Sequence, residues 1–405
     1  MGFRYLMSSM TKELKQIEEK RTKSLQAARR VVIKLGTSLV TNKQGDLNLE
    51  HLEPIVRDVA ILSRTGRQIV LVSSGAVGLG AGHLGLAPER KDDVVMKQAC
   101  AAVGQNLLMA AYERLFRTHK LKIAQVLLTE DDFINWSRYQ NLRRTMERLL
   151  KLGVLPIINE NDTVSTAELK SSSANGHRVF SDNDRLAALV MSKLGADLLV
   201  LLTDVEGLLS SRPRASNGIT PAVIPLVTEI TPELSALASG PTRQGRGGMA
   251  AKLEAAKIAM QVGTAIIASG RQPNVLARIF NGERIGTLFD SSTRLRGKKR
   301  WIAFATNVRG QFVVNHGARE AVLRGKASLL ASGVVHVLNE FAAHDVVQVV
   351  DEEGNEFARG IVNFDSREAL RLIVSADKKR QRARDCVLIT RDNLVVKEPI
   401  GSMKI

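Results

Sequence analysis

Two lysines of the chain lie beside glycines in a pattern that suits phosphate oxygens. Lys34 belongs to a β-branched run that ends in Gly36-Thr37-Ser38, and Lys252 follows the glycine-rich run Gly245–Ala251 where a helix is predicted to begin. Glycine lets backbone N–H groups approach an anion, and lysine neutralises negative charge. A cation is unfavourable in the first turn of a helix, so we expect Lys252 to serve a ligand. The pattern predicts a phosphate site.

Three further clusters bring polar side chains together: two directly follow apolar runs, and the third opens a predicted helix. They are Ser73-Ser74-Gly75, Asn159-Glu160-Asn161-Asp162 and Ser181-Asp182-Asn183-Asp184. Carboxylates can bind an amino group, and amides and hydroxyls can bind a carboxylate. Asx-rich turns and an ordinary strand-to-helix N-cap are the alternative interpretations. For Ser73-Ser74-Gly75 the N-cap stays an equal alternative, whereas the two Asx-rich clusters together, after buried strands, predict a small-molecule site.

The elements that must position these side chains alternate regularly. Apolar strand-like runs cover 31–35, 68–73, 123–128, 154–158, 197–203 and 264–268. Helix-period stretches between them cover 49–64, 94–117, 138–151, 183–194 and 249–261. Near-continuous Val/Ile/Leu runs separated by helices are typical of an α/β protein whose parallel sheet is covered on both faces. Ligands bind at the carboxyl ends of such strands, where Ser74, Asn159 and the pair Thr203-Asp204 are placed.

The pattern changes after Phe289, and we divide the chain there. Residues 291–300 are rich in Ser, Thr, Lys and Arg and predict a linker. Shorter strand-like pieces with Gly-containing turns follow, and they predict a small β-rich domain over 301–400. Residues 1–29 are a basic N-terminal extension in which Lys and Glu alternate at helical spacing. We expect that extension to be a solvated helix rather than a secretory signal or transit peptide, which leaves 30–290 for the main domain.

The net charge of +17 raises the alternative of a protein that binds nucleic acid. Two basic runs, Lys298-Lys299-Arg300 and 378–384, lie in the C-terminal third. Aromatic residues make up only 4% of the chain, which weakens any scheme of base stacking. We therefore expect a solvated charged face, and RNA binding by the C-terminal domain stays an alternative.

The sequence argues against several other classes of protein. No run approaches the ~18 uncharged apolar residues of a membrane span. The seven histidines lack metal-ligand spacing, and Cys100 and Cys386 form no CxxC pair, so we expect no protein-ligated metal and no disulfide framework. The run Gly80–Gly85 matches GxGxxG, but it lies several residues beyond its strand, so we do not expect a dinucleotide fingerprint.

Taken in order, these motifs resemble the amino acid kinase family, and within it the members that phosphorylate the side-chain carboxylate of L-glutamate. The matching stretches are Lys34–Ser38, Ser74–Ala76, Ala102–Gln105, Asn159–Glu168, Asp182–Asp184, Leu202–Gly207 and Gly247–Lys252. Within the family, Asn-Glu-Asn-Asp followed by Asp-Asn-Asp is fairly specific for these glutamate-phosphorylating members. The chain from Arg300 onward, with Gly317-Ala318 and Gly325–Leu330, resembles the PUA domain.

The resemblance implies an αβα sandwich with a mainly parallel central sheet, followed by a small PUA-like domain. It implies a cytoplasmic enzyme that uses ATP and Mg²⁺ to convert L-glutamate to L-glutamyl 5-phosphate, the first step of proline biosynthesis. It also implies inhibition by proline and assembly into a homo-oligomer, a dimer or tetramer.

The resemblance also assigns roles to residues. The implied glutamate-binding residues are Ser74, Asn159, Asp162 and Asn183. The implied ATP-binding residues are Lys34, Thr203, Asp204, Gly245, Arg246, Gly247, Gly248, Met249, Ala250, Ala251 and Lys252. In this assignment Lys34 and Lys252 flank the migrating phosphoryl group and Asp184 orients them. The glutamate carboxylate is already ionised at neutral pH, so no general base is needed.

Two segments depart from the family's pattern: the N-terminal extension and the stretch 169–180, which is longer than usual. Acetylglutamate kinase, aspartokinase, carbamate kinase and uridylate kinase share the expected fold and are the rival assignments. The paired Asn/Asp motifs and the C-terminal domain favour the glutamate-phosphorylating members over them.

Overall fold

The computed structural model describes residues 18–19, 21–86, 94–129, 131–134, 136–164, 183–211, 221–238, 248–290, 302, 308–325, 327–377 and 386–396. The chain divides into two compact units, Met1–Arg294 and Leu295–Ile405. Each unit has a hydrophobic core of its own. The predicted linker at 291–300 lies outside the described residues, so the predicted domain boundaries stay predictions.

An eight-stranded sheet forms the centre of the first unit. Its strands are β1 (Arg30–Leu35), β2 (Gln68–Ser73), β3 (Lys122–Leu128), β4 (Val154–Glu160), β5 (Leu198–Thr203), β6 (Leu226–Val227), β7 (Thr264–Ser269) and β8 (Thr287–Asp290), in the order β3-β4-β2-β1-β5-β7-β8-β6. The first six in that order pair in parallel, and only β8 pairs antiparallel with β7. The prediction of an α/β fold with a mainly parallel central sheet is confirmed.

Helices cover this sheet. They are α1 (Thr37–Val40), α2 (Leu49–Arg64), α3 (Ala76–His83), α4 (Val94–Thr118), α5 (Asp131–Ile134), α6 (Trp136–Lys151), α7 (Asn183–Leu194), α8 (Pro232–Ala238), α9 (Met249–Met260) and α10 (Val275–Phe280). Every residue of β5 and β7 is buried, as expected for central strands with helices on both faces. Helix α2 shows why such helices form: Leu52, Ile55, Val59 and Leu62 lie one turn apart on its buried side.

The N-terminal extension is only partly solvated over its described part. Residues 21–27 are helical, and Arg21, Leu25 and Ala28 are buried. The Arg21 guanidinium donates to the backbone carbonyls of Glu283, Pro225 and Ile285. Burial, with the neighbouring Arg284 charge, lowers the pKa of Arg21 to about 10. The expectation of a solvated helix is therefore wrong for residues 21–28, because one face of the helix packs into the core while its charged face stays outside.

The second unit is small and rich in strands, as predicted. Its strands are β9 (Gly310–Val314), β10 (Leu329–Leu330), β11 (Val334–Leu338), β12 (Val346–Val350), β13 (Glu356–Ile361), β14 (Val387–Ile389) and β15 (Leu394–Val396), and its helices are α11 (His316–Leu323) and α12 (Ser366–Asp377). Five strands form a sheet in the order β11-β9-β12-β13-β15, and β10 pairs with β14. The basic run 378–384 lies outside the described residues. Among the described residues of the whole chain, no helix combines the length and hydropathy that a membrane span needs.

Candidate active site

The carboxyl ends of four parallel strands bring the predicted site residues to one edge of the sheet. In the register of the sheet, Leu35 of β1 lies opposite Ser73 of β2 and Leu202 of β5. Val72 lies opposite Ile158 of β4, one residue before Asn159. Lys34, Ser74, Asn159 and Thr203 are therefore neighbours at this edge, although they are separated by up to 169 positions in the sequence.

A buried carboxylate joins the two lysines. Asp184, fully buried in the first turn of α7, lies 2.6 Å from the Lys34 Nζ through Oδ1 and 3.1 Å from the Lys252 Nζ through Oδ2. Both lysines are nearly buried as well, with 5% and 6% of their surface exposed. We call Lys34, Asp184 and Lys252 the lysine–aspartate cluster. It holds one more positive than negative charge, so it is suited to an anion.

The charge state of Asp184 follows from its surroundings. Burial alone would raise the pKa of this carboxyl, but the charges of Lys34 and Lys252 and the hydrogen bonds they donate outweigh burial and hold the pKa below its usual range. The carboxylate also lies in the first turn of α7, where the helix dipole favours negative charge. Asp184 therefore stays ionised and keeps both ammonium groups in place.

A second group of side chains beside this cluster is neutral. The Asn183 Nδ2 donates to the Ser74 Oγ at 2.9 Å, to the Asn159 Oδ1 at 3.0 Å and to the Ser73 carbonyl at 3.3 Å. Ser74 and Asn159 are buried. We call Ser74, Asn159 and Asn183 the amide cluster. Asn183 and Asp184 are consecutive at the start of α7, so one helix supplies a residue to each cluster.

Helix α4 supports the amide cluster with two residues for which the sequence predicts no role. Gln105 accepts a hydrogen bond of 2.9 Å from the Asn159 Nδ2. The buried Tyr112 hydroxyl lies 2.7 Å from the Ser73 Oγ, which itself donates to the Ser74 carbonyl. Because the Ser73 proton is used in that way, the tyrosine is the donor of the pair. The resemblance includes Gln105 in a matching stretch, but only the fold reveals its contact with Asn159, 54 positions away.

Close packing of two helices accounts for Gly80, the first glycine of the GxGxxG match. A Cβ on Gly80 of α3 would lie 1.8 Å from the Cys100 carbonyl oxygen of α4, and a Cβ on Gly104 would lie 1.8 Å from the Ala76 carbonyl oxygen. Such distances are far inside van der Waals contact, so only glycine fits at either position. Gly80 and Gly104 thus serve helix packing at the α3–α4 crossing.

Some of the remaining predicted site residues lie near the two clusters, and others lie outside the described part of the chain. Thr203 is buried at the end of β5 and donates to the exposed Asp204 at 3.1 Å. Asp162 is half-buried in the turn after β4. Gly248, in extended conformation, precedes α9, and Met249, Ala250 and Ala251 form its first turn. The predicted residues Gly245, Arg246 and Gly247, the Ser181-Asp182 pair and the longer stretch 169–180 lie outside the described residues.

Metal-binding groups do not gather at this edge within the described part of the chain, where no group of three or more His, Cys, Asp or Glu side chains could hold an ion. Both oxygens of Asp184 already face ammonium groups. The excess positive charge of the lysine–aspartate cluster thus suits an anion such as a phosphate. Cys100 and Cys386 are free thiols.

The amino acid kinase family profile matches residues 29–269, which include both clusters, and the PUA domain profile matches residues 310–384. The chain belongs to the amino acid kinase family. The fold and the PUA domain expected from the sequence are thereby confirmed. The kinase profile contains all the described residues of the candidate site, from Lys34 to Lys252.

Curated relatives from bacteria are similar over most of their length. The glutamate 5-kinase of Moorella thermoacetica is 46% identical over 84% of this chain and 88% of its own. The glutamate 5-kinase of Myxococcus xanthus is 45% identical over 86% of this chain and 90% of its own. The predicted likeness to family members that act on glutamate, and with it the prediction of an ATP-dependent kinase, is confirmed.

One solved structure is similar to part of this chain. The UMP kinase of Bacillus anthracis aligns with a TM-score of 0.46 and 17% identity, and the alignment covers 66% of this chain and 98% of that protein.

Proposed function

We propose that this protein transfers the γ-phosphoryl group of ATP to the side-chain carboxylate of L-glutamate and releases L-glutamyl 5-phosphate and ADP. The observation that carries the proposal is the buried lysine–aspartate cluster directly beside the neutral amide cluster at one sheet edge. The names of the curated relatives support glutamate as the acceptor.

The two lysines meet the main demand of phosphoryl transfer. Negative charge spreads over the phosphoryl oxygens as the acceptor oxygen bonds to phosphorus and the bond to the ADP oxygen breaks. Lys34 and Lys252, fixed by Asp184, place two ammonium groups where such charge develops, and burial strengthens their effect. The acceptor carboxylate needs no deprotonation, so the residues of the chain act by positioning and by charge.

The nucleotide would be held by residues on the β5 and α9 side of the edge. We assign this role to Lys34, Thr203, Asp204 and the segment from Gly245 to Lys252. Mg²⁺, when bound with ATP, supplies further neutralisation of the phosphate oxygens. In the described part of the chain we assign no residue to it as a ligand.

The acceptor would be held by Ser74, Asn159, Asp162 and Asn183. Hydroxyl and amide groups suit a carboxylate and an ammonium group, and Asp162 adds a negative charge for the ammonium group. We further propose a cytoplasmic enzyme that is inhibited by proline and assembles into a dimer or tetramer. RNA binding by the PUA domain remains an alternative that salt-dependent retention on RNA would test.

The deciding experiment measures ADP release by the full chain with ATP and Mg²⁺. L-Glutamate, N-acetyl-L-glutamate, L-aspartate and UMP are compared as acceptors, with and without proline. We expect release with L-glutamate alone and its suppression by proline. Release with another acceptor and none with glutamate would contradict the proposal.

A further inference from the structure

We propose that Gln105 is a positioning residue that sets which end of the Asn183 amide faces the amino acid, and that Asn183 Oδ1 accepts from the α-ammonium group of the acceptor. This inference rests on the proposed function, since it concerns how the same site recognises its amino acid.

Two backbone groups determine how the amides are turned. The Ser73 carbonyl can only accept, so the Asn183 atom 3.3 Å from it is the nitrogen Nδ2. The Glu160 N–H can only donate, so the Asn159 atom 2.9 Å from it is the oxygen Oδ1. The orientation of both amides therefore follows from the main chain.

Gln105 completes this arrangement. With Oδ1 of Asn159 turned toward the Glu160 N–H and the Asn183 Nδ2, its own Nδ2 must find an acceptor elsewhere, and Gln105 Oε1 supplies one at 2.9 Å. A hydrogen-bond acceptor at position 105 thus fixes the orientation of the Asn159 amide, and the Asn159 oxygen in turn fixes the orientation of the Asn183 amide. Without it, a buried amide donor would be left unpaired, at a cost that favours rotation of the Asn159 side chain.

One atom of the network is left for a ligand. Asn183 Oδ1 is buried and has no hydrogen-bond partner among the residues that the structure describes, whereas Nδ2 of the same amide has three acceptors. A buried acceptor without a donor is unfavourable, so the site gains by binding a molecule that brings one. The α-ammonium group is the donor that distinguishes an amino acid from a plain dicarboxylate.

The test compares L-glutamate with glutarate, which has the same two carboxylates and no amino group. We expect the wild-type protein to prefer glutamate in kcat/KM. Gln105→Met removes the hydrogen-bond acceptor at position 105 and keeps a side chain of similar length. We expect the preference for glutamate over glutarate to fall by roughly tenfold or more, mainly through a higher KM for glutamate. KM for ATP should not change. Gln105→Glu keeps an acceptor oxygen and should restore the preference.

A matched control is Asn106→Leu, which removes an exposed amide from the next position of α4 and should leave the preference unchanged. A merely structural role for Gln105 would lower activity with both acceptors equally, and an unchanged preference in Gln105→Met would overturn the inference. If Gln105→Met does not fold, Gln105→Ala gives the same comparison. If the wild-type protein does not phosphorylate glutamate, the proposed function fails, and not only the role of Gln105.

Discussion

The two clusters at the sheet edge use opposite electrostatics within a single site. The lysine–aspartate cluster is charged, buried and built from β1, α7 and α9. The amide cluster is neutral and built from the ends of β2 and β4 with the first residue of α7. Charge suits a phosphoryl group that is common to all kinases, whereas oriented amides suit one particular acceptor. The comparison indicates that different residues set the rate of phosphoryl transfer and the choice of acceptor, so that mutations can change one without the other.

The largest effect should follow from removing the negative charge between the lysines. Asp184→Asn leaves two buried ammonium groups without their counter-charge, and we expect the free energy of unfolding to fall by about 3–5 kcal/mol. Urea unfolding at pH 7 measures it, with the exposed Asp46→Asn as control. Equal stability of both variants would show that the carboxylate does not hold the lysines.

The stability that Asp184 contributes to the wild-type protein should depend on pH. Because the pKa of Asp184 is held below its usual value, its contribution to stability is fully present above about pH 4 and is lost as pH falls through the lower, folded pKa. The stability difference between the wild type and Asp184→Asn should therefore be constant from pH 7 to about pH 4 and shrink in stronger acid.

Removing one ammonium group should affect rate more than acceptor binding. We expect Lys252→Met to lower kcat by about a hundred- to a thousandfold, because the developing phosphoryl charge loses a buried donor. KM for L-glutamate should change little. Lys257→Met, on the exposed side of the same helix, is the control and should retain kcat. Near-normal kcat in Lys252→Met would remove this lysine from the catalytic machinery.

The converse change tests the amide cluster. Asn183→Asp replaces a donor by a carboxylate oxygen that faces the Ser73 carbonyl and the Asn159 Oδ1, so acceptor oxygens meet with no hydrogen between them. We expect KM for L-glutamate to rise by about a hundredfold and KM for ATP to stay within a few-fold. A parallel rise in both constants would show that the two clusters cannot be separated.

The smallest effect concerns the support of the amide cluster. Burial raises the pKa of Tyr112, so its hydroxyl keeps the proton that it donates to Ser73. Tyr112→Phe should lower kcat/KM for glutamate by about three- to tenfold, which corresponds to one lost hydrogen bond. Tyr139→Phe removes another buried hydroxyl, one bound to the Lys193 carbonyl, and should not alter the kinetics. Equal losses in both variants would indicate general destabilisation.

The main elements were predictable because their signals are local. Long Val/Ile/Leu runs predict β1, β2 and β5, and the helix of residues 49–64 agrees residue for residue with α2. The sequence does not predict strand β8, because Thr287–Asp290 is too short to show a period of its own. Its antiparallel direction depends on its pairing with β7, which no short stretch of sequence encodes.

The candidate site was predictable only in part. Some site residues are recognisable because they lie at the end of a predicted strand, as do Lys34 and Asn159, or at the start of a predicted helix, as does Asp184. Gln105 and Tyr112 have no such signal, because they lie inside a long helix where Gln and Tyr are ordinary residues. Their importance arises from contacts across 54 and 39 positions, which exist only after the sheet has formed.

The α3–α4 crossing at Gly80 and Gly104 lowers the conformational entropy that the protein loses on binding its acceptor. Gly80 and Gly104 let the two helices meet with no space for even a methyl group, so α4 cannot slide along α3. Helix α3 follows Ser74, and α4 carries Gln105 next to Gly104. Ser74 and Gln105 are thus held at a fixed separation before any ligand is present. Binding on this side then orders few additional groups, and more of the interaction energy remains for choosing between acceptors.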